Sequence, residues 1–214
     1  YVEELIQIDT LALGDLRANC YLLYMHDQAI IIDPGAEPEK IIQRIEQNHL
    51  RPLAILLTHA HFDHIGAVDA IRKKYDIDVY LHVKEHDWLE NPELNRSIGF
   101  IRQPIITSKP EQKLVPGKLQ IGPFHFEVKH TPGHSPGSVS FIHHGQKFVI
   151  SGDVLFQYGI GRTDLPGGSL EQLEQSIQNK LYRLDDAFTV YPGHGPLTTI
   201  GNEKYNNPFI RMDS

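Results

Sequence analysis

The amino-acid sequence predicts an α/β fold with mixed sheets, a single domain over residues 1–214, and three observations carry that expectation. Short apolar runs alternate with helix-period stretches through the first half, a β-α-β-α-β rhythm. The second half runs through several turn-linked strands into one strong amphipathic helix, and no low-complexity linker divides the chain. Both halves thus run from strands to a helix.

Residues 2–8, 20–25 and 29–33 read as short strands, the last stopped by the turn Asp33-Pro34-Gly35. Pro38 suits a first helical turn, and Ile41, Ile42 and Ile45 recur at helical spacing as far as about Asn48. Residues 52–57 have the apolar run of a buried strand. From Gly66 onward Val68, Ile71 and Tyr75 mark one face of a second helix, and residues 78–81 form the next strand. Residues 84–109 carry Trp88, Pro92, Phe100 and Pro104 without a clean period, which predicts a short helix and a long loop. Strands are expected at about 118–121, 123–129, 138–143 and 147–150, in antiparallel pairings. Ser169 followed by Gln172 fits a capping box, with Leu170, Leu173, Ile177, Leu181 and Leu184 as the apolar stripe of the helix. Residues 189–191 make a last strand.

Charge narrows the function. With 20 basic and 27 acidic residues the formal charge is -7, which offers no field for steering a phosphate backbone, so nucleic acid is not an expected partner. Cys20 is the only cysteine and can form no internal disulfide, and nothing at the start reads as a signal peptide, so a reducing cytoplasm is expected. The apolar runs at 29–32 and 53–57 are too short for a bilayer, and no membrane role is expected.

The 13 histidines are many for this length and are not gathered in one tract. After the strand at 52–57 comes Thr58-His59-Ala60-His61-Phe62-Asp63-His64, three imidazoles and a carboxylate at a strand-to-helix junction. Such donors suit zinc, iron or manganese, and a strand end followed by a turn aims alternate side chains to one side. His59 and His61 could share one metal; Asp63 and His64, past the turn at the start of the helix, could reach a second. Downstream, Thr131-Pro132-Gly133-His134, Ser151-Gly152-Asp153 and Tyr191-Pro192-Gly193-His194 each put one His or Asp after a strand, beside a glycine that permits a tight turn. Each alone is a common backbone turn. Together they supply the three ligands that a two-metal site would otherwise lack.

Through His59–His64, Gly133-His134, Gly152-Asp153 and Gly193-His194 the sequence resembles the metallo-β-lactamase fold superfamily over nearly its whole length. The resemblance implies a four-layered α-β-β-α sandwich. It also implies that His59, His61 and His134 hold one divalent ion, that Asp63, His64 and His194 hold the other, and that Asp153 bridges both. Two such cations lower the pKa of a shared water toward about 7 and polarise a carbonyl, so no Ser or Cys nucleophile is needed. Asp63 is expected to orient the hydroxide as well as to ligate. Zinc is expected first, with iron or manganese as alternatives. His26, His49, His143 and His144 read as turn or surface residues, while His82 and His86 flank a strand end near enough for a pocket role. Asp33 sits in a strand-ending turn where it accepts backbone hydrogen bonds or partners a metal-bound histidine.

Within the superfamily, Thr131-Pro132-Gly133-His134-Ser135-Pro136-Gly137-Ser138 is most similar to glyoxalase II and its shorter bacterial relatives. That similarity implies thioester hydrolysis, notably of S-lactoylglutathione or an analogous thiol conjugate. Where glyoxalase II carries a basic residue and then aromatics that grip glutathione, this sequence has Arg162 followed by Thr163 and Asp164, so Arg162 is the candidate substrate-binding residue. Only residues 195–214 follow the last ligand, where larger glyoxalase II enzymes add a helical domain. Alternatives are a lactonase or other ester hydrolase on the same fold, a mononuclear-iron persulfide dioxygenase, and a non-catalytic metal-binding module. The sequence sets no oligomeric state.

Overall fold

Alternating apolar runs and helical periods build the first sheet in a computed structural model that describes residues 5–212. The chain forms two compact units, Tyr1–Leu114 with Gln120–Phe124 and Val115–Leu119 with His125–Ser214. In the first, β1 (Gln7–Leu13), β2 (Ala18–Met25), β3 (Gln28–Ile32), β4 (Arg51–Leu56), β5 (Asp78–His82) and β6 (Gln112–Leu114) lie side by side in chain order. β1, β2 and β3 pair antiparallel, whereas β3, β4, β5 and β6 run parallel. Of the three crossovers that parallel pairing requires, two carry α1 (Pro38–Gln47) and α2 (Val68–Tyr75), and the third is the long connection between β5 and β6. Ile41 and Ile45 of α1 and Val68 and Ile71 of α2 pack with Leu22, Ile31, Ile55 and Val79 into one buried core. Parallel strands end on the same edge of a sheet, so the loops after β3, β4 and β5 gather there. Asp33, the histidine-rich segment and Glu85 all lie in those loops.

The second sheet has the order β14-β13-β10-β9-β8-β7, with β7 (Gly117–Ile121), β8 (Phe124–His130), β9 (Val139–His143), β10 (Phe148–Gly152), β13 (Thr189–Pro192) and β14 (Thr198–Thr199). β8, β9 and β10 alternate in direction, which returns the end of β8 to the edge where β10 ends. β13 runs parallel to β10, so its end joins them. A register shift between Ile150 and Gly152 sets Gly152 opposite Pro192, and the Gly193 amide donates to the Gly152 carbonyl at 2.8 Å. The chain therefore leaves β10 and β13 side by side, one residue before Asp153 and two before His194. β11 (Leu155–Phe156) and β12 (Gly159–Ile160) form a small hairpin, followed by α3 (Leu170–Asn179) and, at the end, α4 (Ile200–Asn206). Leu173 and Ile177 of α3 are buried with Val149, Leu155, Val190 and Ile200. Among the described residues no helix is long and apolar enough to cross a membrane.

The differences from expectation are local. The first strand lies at Gln7–Leu13, held in register from Gln7 opposite Tyr24 to Leu13 opposite Ala18, rather than at 2–8; residues 2–4 fall outside the described residues. Residues 84–109 contain turns and the 3-10 turn Val83–Glu85, with no α-helix. The third helix stops at Asn179 because Lys180 leaves helical geometry, and Leu181–Arg183 make a separate 3-10 turn. Asp63 and His64 sit on the 3-10 turn Phe62–His64, ahead of α2 rather than on its first turn. β6, the β11–β12 hairpin, β14 and α4 carry no period long enough to be read. The capping box is real on one side: the Gln172 amide donates to Ser169 Oγ at 3.2 Å. Ser169→Ala removes that acceptor and is expected to cost about 1 kcal/mol. For a chain of this size that lowers Tm by roughly 2–4 °C in a thermal melt; an unchanged Tm would show the cap idle.

Candidate metal centre

The first unit builds its part of the centre around one carboxylate. Asp33 is buried at the end of β3, with a left-handed backbone (φ 55) that turns the chain sharply. Its Oδ1 accepts the Thr58 amide at 2.8 Å; its Oδ2 accepts the Thr58 hydroxyl at 2.6 Å and faces His64 Nδ1 at 2.9 Å. An ionised carboxylate only accepts, so His64 carries its proton on Nδ1 and presents Nε2 as a lone-pair donor. Thr58 has given its own hydroxyl proton to Asp33, so its oxygen accepts from His59 Nδ1 at 3.0 Å, and His59 too presents Nε2. Asp33, His59 and His64 offer ligand-type atoms within 4.8 Å of one another.

Three further contacts hold the ligand loop. Glu85, fully buried in the 3-10 turn after β5, accepts the Ala60 amide between the first two histidines at 2.7 Å. The Phe62 amide donates to the Asn95 carbonyl at 2.8 Å, and the His61 ring lies 5.4 Å from that of Trp88. At Gly35, a Cβ would overlap the Asp63 carbonyl oxygen, so only glycine lets the turn after β3 approach the loop this closely. His64 Nε2 and Asp63 Oδ2 stand 3.5 Å apart.

The second unit centres on Asp153, whose Oδ2 lies 3.5 Å from His134 Nε2 and 3.4 Å from His194 Nε2. His134 Nδ1 lies 2.8 Å from the Arg162 carbonyl, a pure acceptor, which again leaves Nε2 free of the proton. The β11–β12 hairpin brings that carbonyl in, and Gly161 allows it: a Cβ there would overlap the Asp153 carbonyl oxygen and stand 3.1 Å from His134 Nδ1. The Arg162 side chain does something else. Its guanidinium grips Asp164 through two bonds of 2.6 and 2.8 Å in an exposed pair. The same pairing holds the Asp164 carboxyl down at about 2, so Asp164 is ionised at any working pH.

The donor set fits a divalent transition metal. Two ligand atoms on one tetrahedral ion with bonds of about 2.0–2.1 Å stand about 3.4 Å apart. The three Nε2–carboxylate separations, 3.4, 3.5 and 3.5 Å, are too long for charge-assisted hydrogen bonds and match that edge. Outer acceptors on Nδ1 are what metal-ligating histidines require. Of the residues singled out in the sequence, His59, His61, Asp63 and His64 come together in the first unit and His134, Asp153 and His194 in the second. Thr58, Glu85 and the Arg162 carbonyl were not foreseen. Thr58 had a signal, a hydroxyl residue directly before His59 at a strand end; Glu85 had none. His82 Nδ1 accepts the Lys84 amide at 3.1 Å and caps a turn.

Fold and donor set together define a metal-dependent hydrolase. The chain belongs to the metallo-beta-lactamase superfamily, whose family model matches residues 13–194. It is 54% identical to the probable metallo-hydrolase YqgX of Bacillus subtilis (strain 168) over 199 residues, 92% of this chain and 94% of that protein. It is 38% identical to the hydroxyacylglutathione hydrolase GloC of Haemophilus influenzae over 212 residues, 98% of this chain and all of that one. The crystal structure of BLEG-1 B3 metallo-beta-lactamase superposes with a TM-score of 0.93 at 51% identity, covering 95% of this chain and 99% of that chain. That of TTHA1623 in a di-iron-bound form superposes at 0.86 and 41% identity, covering 94% and 100%. The fold is thus the α/β sandwich with mixed sheets of this superfamily.

Asp33 is where the loop is most exposed to a single change. Asp33→Asn puts an amide donor where three donors need acceptors, and freezing of the His64 tautomer is lost with it. Loss of such an outer partner typically weakens metal binding about 10- to 100-fold. Competition with a coloured chelator measures this; wild-type affinity in a folded variant would remove Asp33 from the metal centre.

Proposed function

We propose that the chain hydrolyses thioesters of small 2-hydroxy acids in the manner of glyoxalase II, with S-lactoylglutathione or an analogous thiol conjugate as substrate. The observation that carries the metal part is Asp153 Oδ2, at ligand-edge distance from both His134 and His194. His59, His61 and His134 would hold one ion, Asp63, His64 and His194 the other, and Asp153 both, as membership of the superfamily implies. The thioester part rests on likeness to GloC along the whole of both chains.

Two bound divalent cations, zinc first with iron or manganese as alternatives, supply Lewis acidity and a water ionised near neutral pH. The di-iron form of TTHA1623 supports two ions and keeps iron among the candidates. The chain's own residues do the rest. Asp33, Thr58 and the Arg162 carbonyl fix three imidazole protons on Nδ1, so no ring has to turn over before it can ligate. Asp63, only partly buried, would orient the attacking hydroxide through its carboxylate as well as ligate. The single cysteine is a poor nucleophile: burial pushes the Cys20 thiol far above its ordinary range.

Arg162 serves a substrate carboxylate only by giving up Asp164. Asp164→Ala should therefore lower KM for an anionic thioester, and Arg162→Ala raise it, with a neutral thioester indifferent to both. A second reading, β-lactam hydrolysis, comes from the likeness to BLEG-1. The deciding experiment assays metal-loaded protein on thioesters of several thiols, the matching oxygen esters and lactones, a β-lactam, and a persulfide with oxygen uptake followed. The thioesters should lead in kcat/KM by about tenfold or more, some 1.4 kcal/mol of transition-state preference. A lead for esters, lactones or the β-lactam, or oxygen uptake with the persulfide, would replace this reading.

A further inference from the structure

The first unit carries a cavity of about 460 Å³ with Asp63 in its wall, and nothing above uses it. That is the size range of small-molecule sites. Much of the lining is apolar, made by Leu13 and Leu16 of the β1–β2 hairpin, Phe62 of the ligand loop, and Phe100, Ile101 and Ile105 of the long connection before β6. Phe62 and Phe100 stack with centroids 5.3 Å apart, which ties that connection to the ligand loop. Leu16, Phe100 and Ile101 are 53, 47 and 38% exposed. One such side chain on a surface needs no explanation, but three from two separate loops lining one cavity form a patch.

The polar lining is equally one-sided. Among the described residues that line the cavity none is basic, and the ionisable ones are Asp15, Glu37 and Asp63. Glu37 is engaged: it accepts the Gly14 amide at 2.9 Å and pairs with Lys40 at 2.7 Å, which straps the β1–β2 hairpin tip to the start of α1. These contacts, the Gly14 hydrogen bond first, hold its carboxyl below the usual range, so it stays charged. An anionic group in this cavity would meet carboxylates and hydrocarbon, with no guanidinium or ammonium to receive it. Arg162, the candidate cation, belongs to the second unit and is occupied by Asp164.

We propose that this cavity is the subsite for an uncharged, apolar group carried by the substrate next to its scissile bond. The substrate class is then a thioester whose group next to the scissile bond is alkyl or aryl, with any carboxylates of its thiol lying outside this cavity. The inference rests on the thioesterase reading and on Asp63 as a metal ligand, because Asp63 is what joins the cavity to the reacting centre. The apolar group can come from the acyl side or the thiol side, and the chemistry of the cavity is the same for both.

The test is a chain-length series on metal-loaded protein. Acetyl, butyryl and hexanoyl thioesters of N-acetylcysteamine vary the acyl side; acetyl thioesters of methyl, butyl and benzyl thiols vary the other. Each buried methylene is worth about three- to fourfold, so kcat/KM should climb by that factor per methylene along one series, and that series names the side. Phe100→Ser and Ile101→Ser should flatten the climb, read as a long-to-short ratio within each variant so that partial loss of active protein cancels. In parallel, a non-hydrolysable thioether with a hexyl group is titrated calorimetrically into metal-free protein. It should bind the wild type and lose about tenfold or more in affinity in either variant. Flat profiles in both series alongside good turnover overturn the cavity assignment and leave the thioesterase reading standing. Thioether binding that the variants abolish, with no thioester turned over, keeps the cavity and discards the thioesterase reading. Thioether binding that ignores both variants overturns the assignment whatever the kinetics show.

Discussion

An imidazole presents one nitrogen to a metal more readily when an acceptor holds the proton on the other, and in this chain Asp33, Thr58 and the Arg162 carbonyl supply such acceptors. Asp33 is a carboxylate surrounded by donors: the Thr58 amide and hydroxyl on one side, His64 Nδ1 on the other. Thr58 passes the same polarity one residue further, to His59. One buried carboxylate therefore bears on two tautomers and on the path of the backbone between them. In the second unit the Arg162 carbonyl sets the third, on His134. Asp33 and Thr58 are buried, where an unmatched donor costs far more than on the surface, so their arrangement tolerates little variation.

Backbone approach is the second constraint. Parallel strands deliver the turns after β3, β4 and β5 to one edge, but delivering them is not the same as letting them touch. Gly35 has no Cβ to collide with the Asp63 carbonyl, and Gly161 none to collide with that of Asp153. In each unit a glycine thus sits against the backbone of a candidate ligand. The register shift in β10 serves the same end, because it brings Gly152 level with Pro192 and starts Asp153 and His194 from adjacent positions.

What the sequence made legible follows from this. The ligand motifs could be read because each joins a donor side chain to a glycine or a turn at a strand end, and such pairings are local. The β-α-β-α-β order could be read because Ile41, Ile45, Val68 and Ile71 keep helical spacing over full turns. Glu85 could not, since its use as an acceptor for the Ala60 amide depends on β5 lying beside β4, a contact 25 residues apart in the chain. The contacts of Arg162 were hidden for a similar reason: a cation in a glycine-rich loop suggests a substrate anion, and only the fold shows Asp164 two residues on holding the guanidinium and the backbone carbonyl facing His134. β6 and β14 are too short, and β6 too exposed, to leave a period.

The proposed centre has two ions that share Asp153. Anomalous diffraction from metal-loaded crystals, recorded at the absorption edges of zinc, iron and manganese, locates each ion and names its element. Two peaks per chain, with one Asp153 carboxylate in contact with both, is the predicted result. A single peak at full metal supply, or two peaks of which Asp153 touches only one, would contradict the account.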